Sequence, residues 1–168
     1  MAESPALPQV KLETSEGTLL VELWPDVAPG HAANFLKLTE SGFYDNLKFH
    51  RILPNFVIQG GCPKGDGTGG PGWKLKAEFN NRQHVKGVLS MARSNHPDSA
   101  GSQFFICLSR EMCQHLDNQY TAFGKVLQGL DIVDKIAATP LRDRHSGTPA
   151  NPPCILKATV VTNLNPSK

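Results

Sequence analysis

The segment Phe49-His50-Arg51-Ile52-Leu53-Pro54-Asn55-Phe56-Val57-Ile58-Gln59-Gly60-Gly61 places an arginine and a glutamine inside an apolar run. Its β-branched and aromatic residues favour strands, and Pro54-Asn55 interrupts them, so the segment predicts strand, turn, strand. Charged side chains are rarely buried in such a run unless they are paired or functional. For Arg51 alone, a structural salt bridge is one interpretation. The other is that Arg51 and Gln59, near the ends of the two strands, form one wall of a shallow peptide-binding site.

The composition describes an ordinary globular protein of 168 residues, 39% hydrophobic and 19% charged, with a net charge of +2. This length fits a single domain, which we place at residues 10–163 between a short flexible leader at 1–9 and a tail at 164–168. The mild charge and the absence of a Lys/Arg cluster argue against nucleic-acid binding. No apolar run approaches the roughly 20 residues of a membrane helix, and no signal-peptide pattern is present. We therefore expect a cytoplasmic protein without membrane contact.

The four cysteines, Cys62, Cys107, Cys113 and Cys154, show no spacing typical of a metal site. We expect free thiols in a reducing compartment and neither a metal nor a cofactor. The glycine-rich segment 62–73 lacks the ending of a phosphate-binding loop, so it predicts an irregular surface loop.

The remaining chain predicts strands at 10–13, 18–24, 88–92, 102–108, 120–126 and 154–163, with a short one at 75–78. Helical spacing of apolar residues predicts one helix at about 29–40 and another that starts at Gly129. His31 is interpreted as a solvated first-turn residue, 109–117 as a loop with a helical turn near 114–116, and 140–153 as a long polar loop. Within 102–108, Phe104 and Ile106 either fill the core, leaving Gln103 and Phe105 at the site, or the faces are reversed.

Strands and helices do not alternate, which argues against Rossmann and TIM folds. We predict a mainly β fold, a closed eight-stranded antiparallel β-barrel capped by two α-helices. Closure would remove the exposed strand edges that so many strands otherwise leave.

The order and spacing of several motifs resemble the cyclophilins, the cyclosporin-binding family of peptidyl-prolyl cis-trans isomerases, over roughly residues 10–161. The stretch 90–100 is similar to the bacterial and single-domain type. The motifs are Phe49-His50-Arg51, Phe56-Val57-Ile58-Gln59-Gly60-Gly61, Gly87-Val88-Leu89-Ser90-Met91-Ala92, Gly101-Ser102-Gln103-Phe104-Phe105-Ile106, Leu116-Asp117 and Phe123-Gly124-Lys125-Val126.

The resemblance implies a barrel with a helix at each end and an active groove on its outer surface. It assigns catalysis to Arg51, with Gln59 holding a substrate carbonyl and steadying that arginine. Arg93 takes the place of a residue whose backbone pairs with the substrate. The substrate-binding residues it implies are Phe56, Val57, Ala92, Arg93, Gln103, Phe105, His115, Leu116 and Tyr120.

Three of these positions depart from the commonest family pattern. Val57 stands where methionine is usual, which shortens one wall of the proline pocket but keeps it apolar. His115 stands where many members have a tryptophan associated with tight cyclosporin binding, so we expect weak cyclosporin binding. Tyr120 replaces a frequent histidine on the pocket rim, as it often does in bacterial-type members.

The first hypothesis is therefore a monomeric prolyl isomerase that acts on proline-containing peptides and on unfolded or native protein clients, assisting folding. Ser94 and the segment 74–76 are expected to influence which residues are accepted before the proline. The alternative is a non-catalytic proline-peptide binding or assembly module, motivated by Val57, His115 and Tyr120. A hydrolytic or ligand-binding enzyme on the same barrel is remote, since no Ser/His/Asp order or carboxylate pair stands beside the groove.

Overall fold

The computed structural model describes residues 7–161, which form a mainly β domain, as predicted. The strands are β1 Gln9–Thr14, β2 Gly17–Leu23, β3 Leu47–Lys48, β4 Arg51–Leu53, β5 Val57–Gly60, β6 Val88–Met91, β7 Phe104–Cys107, β8 Ala122–Gln128, β9 Leu141–Asp143, β10 Thr148–Pro149 and β11 Cys154–Val161. The helices are α1 Pro29–Glu40, α2 Arg110–Cys113 and α3 Leu130–Ala137, with a 3₁₀ helix at Gln114–Leu116.

Nine strands form one curled antiparallel sheet in the order β3-β11-β1-β2-β8-β6-β7-β5-β4. Its two edge strands, β3 and β4, are separated in the chain only by Phe49-His50. The predicted count of eight strands in a closed ring is therefore off by one, because residues 47–53 form two short strands, β3 and β4, where one was expected. Between residues 7 and 161 the ring is completed by covalent chain and not by a hydrogen-bonded ladder.

The first strand, β1, is paired along its whole length with the last strand, β11. In the β1–β11 ladder, Gln9 lies opposite Val161 and Leu12 opposite Ala158. Residues 9 and 161 therefore lie on neighbouring strands, the third and second in the order of the sheet.

The predicted hairpin is confirmed and fixes the register of the site. Arg51 lies opposite Gln59 in the β4–β5 ladder, and Gln59 lies opposite Phe105 in the β5–β7 ladder. Asn55, in the turn, has a φ of 67°, a left-handed conformation that asparagine adopts more readily than most residues. These ladders place three predicted site residues side by side on adjacent strands.

Two apolar clusters lie on opposite faces of β7. Phe104 and Ile106 are fully buried in the main core, whereas Phe105 and Cys107 belong to a second cluster that also contains Leu116. Because side chains alternate along a strand, this settles the orientation that the sequence left open. Phe105 faces the site, and the main core lies behind it.

Three expectations for the helices and loops need correction. The residues described hold three α-helices instead of two, because α2 begins within the predicted loop at 109–117. Its start is capped by the Ser109 hydroxyl, which accepts a hydrogen bond from the Met112 N–H at 3.2 Å. The predicted polar loop at 140–153 contains the small β9–β10 sheet. The predicted strand at 75–78 is reduced to a single bridge between Leu75 and Ala100.

The interpretation of His31 as solvated is wrong. Its side chain is only 1% exposed, and its Nδ1 lies 2.7 Å from Glu78 Oε1. Glu78 also accepts hydrogen bonds from the backbone N–H groups of Gly30 and His31 in the first turn of α1. A carboxylate from a distant loop thus covers this helix start and buries the histidine beneath it.

The proposed domain boundaries fall largely outside the description, since residues 1–6 and 162–168 are not covered. Within the predicted leader, Leu7 packs against the second cluster, and the Pro8 carbonyl accepts a 2.8 Å hydrogen bond from the Leu23 N–H. Residues 7 and 8 of the predicted leader thus already contact the domain. No helix of the described part is both long enough and apolar enough to cross a membrane.

Candidate active site

A groove beside β4, β5 and β7 brings together most of the predicted site residues. Its smaller cavity has a volume of about 250 Å³, and a larger one of about 680 Å³ adjoins it. Gln103 lies in the larger cavity, together with Gln59, Ala92 and Arg93, which line both. The smaller cavity is lined by Arg51, Phe56, Val57, Gln59, Ala92, Arg93, Phe105, His115, Leu116 and Tyr120.

Arg51 is exposed at the edge of the smaller cavity. Its Nη1 donates to Gln59 Oε1 at 3.3 Å, and within residues 7–161 its guanidinium makes no other hydrogen bond and no ion pair. The structural salt bridge considered from the sequence is therefore not observed. Within residues 7–161 the remaining N–H donors of the guanidinium have no protein partner and are available to a bound molecule.

Gln59 connects Arg51 to the glycine-rich loop through a second amide. Gln59 Nε2 donates to Gln103 Oε1 at 3.1 Å, and Gln103 Nε2 donates to the carbonyls of Gly67 and Gly69, both at 2.9 Å. This row from Arg51 to Gly69 is called the amide relay below. It fixes both amide orientations, because each oxygen faces a donor and each nitrogen faces an acceptor.

The floor of the smaller cavity is apolar. Val57, Phe105 and Leu116 are each no more than 5% exposed. Phe56 stacks on the exposed His115 with 5.7 Å between ring centroids, and Tyr120 meets Phe105 edge-to-face at 5.7 Å. These rings give the cavity a rigid apolar seat with aromatic sides, suited to a small saturated ring.

A buried polar network under Phe105 was not foreseen from the sequence. His84 is 1% exposed and stacks on Phe105 with 6.2 Å between centroids. Its Nδ1 lies 3.1 Å from Asp117 Oδ1, and its Nε2 lies 2.9 Å from Ser90 Oγ. Arg110 completes the network through a 2.8 Å ion pair with Asp117.

Burial lowers the pKa of His84 below its ordinary value, although the Asp117 carboxylate acts in the opposite direction. A neutral imidazole that donates from Nδ1 and accepts at Nε2 satisfies both partners. His84 thus supports Phe105 from below without touching the cavity. Only the spacing of a histidine and an aspartate 33 residues apart could have indicated it, and such a spacing carries no signal on its own.

The chemistry available to the groove is limited by its lining. The ten residues of the smaller cavity, all within 7–161, include no carboxylate, serine or cysteine. In the same range, no group of three or more His, Cys, Asp or Glu side chains is placed to hold a metal ion. What the groove offers is a guanidinium beside an apolar seat, which suits binding and charge stabilisation more than bond cleavage.

Comparison with known proteins gives a consistent result. Residues 9–160 match the family model described as "Cyclophilin type peptidyl-prolyl cis-trans isomerase/CLD". A peptidyl-prolyl cis-trans isomerase of Synechococcus elongatus is 50% identical over 117 residues, covering 70% of this chain and 79% of the relative. Peptidyl-prolyl cis-trans isomerase B of Bacillus subtilis is 51% identical over 118 residues, covering 69% and 80%.

Solved structures agree with these relatives. A cyclophilin type peptidyl-prolyl cis-trans isomerase of Cryptosporidium parvum, crystallised in the presence of the dipeptide Ala-Pro, superimposes with a TM-score of 0.85 at 33% identity. The match covers 92% of this chain and 99% of that one. A second crystal structure of the same protein gives a TM-score of 0.87 at 32% identity.

Proposed function

The chain belongs to the cyclophilin-type peptidyl-prolyl cis-trans isomerases, and on that premise we propose that Arg51 stabilises the twisted X-Pro bond during catalysis. The single observation that supports this role is the free guanidinium of Arg51, held by one hydrogen bond at the edge of an apolar seat. The sequence-based prediction of the enzyme class is confirmed, and a non-catalytic module is not favoured.

The reaction requires rotation about an amide bond. Resonance gives this bond a barrier of about 18–20 kcal/mol, which makes uncatalysed X-Pro isomerisation slow. At a twist of about 90° the resonance is lost, and the nitrogen becomes pyramidal with a lone pair. A donor directed at that lone pair binds the twisted state better than either planar state, which is the requirement for catalysis.

Arg51 suits this role because a guanidinium is always charged and offers several donors in a fixed fork. Gln59 occupies one of its nitrogens, and the amide relay keeps Gln59 itself in place. The arginine is thus oriented before substrate arrives, so little reorganisation is needed in the transition state. We propose that Gln59 also holds a substrate carbonyl.

The apolar seat is proposed to hold the proline ring while the residue before the proline rotates about the X-Pro bond. Phe56, Val57, Phe105 and Leu116 supply its apolar surface, and His115 and Tyr120 form its rim. The backbone of Ala92 and Arg93, between the two cavities, is proposed to pair with the extended peptide, as in strand-like recognition. The residues before the proline would then extend into the larger cavity, where Gln103, Lys74 and Ser94 lie.

The proposed clients are proline-containing segments of unfolded or native proteins, since a shallow groove that recognises little beyond proline can accept many sequences. We propose a monomer in the cytoplasm, a location supported by the four free cysteines, of which Cys62, Cys107 and Cys113 are buried. A reducing compartment preserves such thiols. We propose weak cyclosporin binding, because His115, which stacks on Phe56 at the rim, stands where many family members carry a tryptophan associated with tight binding.

A protease-coupled assay on an X-Pro peptide tests the role of Arg51. Wild type should accelerate isomerisation, and Arg51→Ala should lose about 10²–10³-fold in kcat/KM, the usual effect of removing one preorganised donor. Arg82→Ala is the matched control, since Arg82 pairs with Asp26 and stacks on Trp24 and lines neither cavity. An undiminished rate in Arg51→Ala would exclude the proposed role.

A further inference from the structure

The backbone ladder between β6 and β8 stops before it reaches the groove. Its register shifts between Leu89 and Ser90, and the last backbone hydrogen bond joins the Met91 N–H to the Thr121 carbonyl at 3.1 Å. The next N–H, that of Ala92, turns away to the Gln103 carbonyl at 2.9 Å. Within residues 7–161, no backbone hydrogen bond joins segment 92–95 to segment 116–120. These two segments form adjacent walls of the smaller cavity.

The Arg93 side chain bridges this gap. Its Nε and Nη2 both donate to the Gln119 carbonyl, at 3.0 and 2.7 Å. Its Nη1 donates to the carbonyls of Ser94 and Asn95, at 2.9 and 3.3 Å. All three guanidinium nitrogens are therefore bound to backbone oxygens of the two walls, in the forked geometry that only arginine provides.

The same guanidinium lies over a ring of the groove. Its central carbon is 4.6 Å from the centroid of Tyr120, the residue after Gln119, and Tyr120 meets Phe105 edge-to-face. Segment 116–120 is also held by its own turn, in which the Gln119 and Tyr120 N–H groups donate to the Leu116 carbonyl at 2.9 and 3.2 Å. Asp117 anchors the start of the segment, since it accepts the His84 N–H at 2.9 Å and pairs with Arg110 at 2.8 Å. None of these hydrogen bonds reaches segment 92–95, so the Arg93 guanidinium supplies those between the two segments.

We infer that Arg93 is a positioning residue, whose side chain sets the width of the proline seat by tying Gln119 and Tyr120 to the adjacent wall at 92–95. It acts through the Tyr120 ring and not on the substrate, because its three nitrogens are already bound within the protein. This role is distinct from the backbone pairing proposed for Arg93, which any residue at this position could provide. The inference rests on the groove being the site of isomerisation.

NMR titration and exchange spectroscopy with an X-Pro peptide test this role, since they give peptide affinity and the bound exchange rate separately. Arg93→Ala should weaken peptide binding about tenfold, equivalent to about 1.4 kcal/mol, with bound exchange changed less than twofold because Arg51 is untouched. Arg93→Lys should recover less than half of this loss, since one ammonium cannot reproduce the fork. Arg82 is also an arginine stacked on an aromatic ring, and Arg82→Ala should bind the peptide as tightly as wild type.

A double-mutant cycle with Tyr120→Leu shows whether Arg93 acts through that ring. The double variant should bind peptide no more weakly than the worse single variant. Fully additive losses, an unchanged peptide affinity in Arg93→Ala, or a loss confined to peptides with a carboxylate next to the proline would each overturn the inference. Thermal unfolding of each variant shows whether it is folded at the assay temperature. If Arg93→Ala is unfolded there, Arg93→Lys, which keeps the charge, takes its place in the comparison of peptide affinities.

The design separates failure of this inference from failure of the proposed catalytic role. If Arg93→Ala behaves as wild type while Arg51→Ala loses bound exchange, only the positioning role is wrong. If Arg51→Ala keeps full exchange, the catalytic assignment is wrong, whatever Arg93 does.

Discussion

Replacing Gln59 with leucine removes the link between Arg51 and the amide relay while keeping a side chain of similar size. Gln103 stays in place, because it also donates to the carbonyls of Gly67 and Gly69 at 2.9 Å. Leucine therefore loses the 3.3 Å hydrogen bond that orients Arg51 and the proposed hydrogen bond to a substrate carbonyl. Each such bond contributes about 1 kcal/mol. If both serve the transition state, kcat/KM falls about thirtyfold.

The measurement is kcat/KM at low peptide concentration, with wild type, Gln59→Leu and Arg51→Ala in one series. Gln59→Leu should lie between the other two, because Arg51 remains present but less well oriented. Gln59→Glu is the informative isostere, since its carboxylate would hold the guanidinium and compete with the substrate for it. We expect Gln59→Glu to be slower than Gln59→Leu. A leucine variant as slow as Arg51→Ala, or as fast as wild type, would refute the orienting role of Gln59.

Two further changes should have measurable effects. His115→Trp should increase cyclosporin affinity by about tenfold or more, equivalent to about 1.4 kcal/mol, because a larger ring replaces the imidazole stacked on Phe56. Titration of the isomerase activity with cyclosporin measures this affinity, and unchanged inhibition would contradict the prediction. Burial lowers the pKa of both His31 and His84 from 6.5, so the unfolded chain takes up protons first as the pH falls below about 6.5. The free energy of unfolding should therefore decrease from there down to the lowered pKa values, and His84→Gln should reduce this decrease in urea titrations at several pH values; an equal decrease in that variant would contradict the assignment.

Local sequence signals predicted the parts of the fold that depend on neighbouring residues. Pro54-Asn55 between two apolar runs identified the hairpin, and helical spacing identified α1 with the bounds that the structure shows. Ser109, a residue type favoured at helix N-caps, is a comparable local signal for the start of α2. The strand split at Phe49-His50 could not be found this way, because strand propensity does not report which backbone groups obtain partners.

Beyond Arg51 and Gln59, which the hairpin itself indicated, the site could be predicted from the sequence only through the resemblance to a family. That resemblance named all ten residues of the smaller cavity and placed Gln103 with them, whereas the structure places Gln103 in the adjoining one. The supports behind these residues were missed, since His84 meets Asp117 across 33 positions and Glu78 covers His31 across 47. Such pairs arise from tertiary packing, and helical or strand periodicity does not report them.

The pairing of Gln9 with Val161 has a consequence for how this domain can be combined with others. Because its entry and exit points are neighbouring residues of one ladder, the domain can be inserted into a surface loop of a host protein with short linkers and without separating the ends of that loop. For the same reason, a circular permutant that joins these strands and opens elsewhere should keep the sheet intact. The pairing of residues 9 and 161 thus allows the isomerase fold to be inserted into other proteins or permuted without loss of strand pairing.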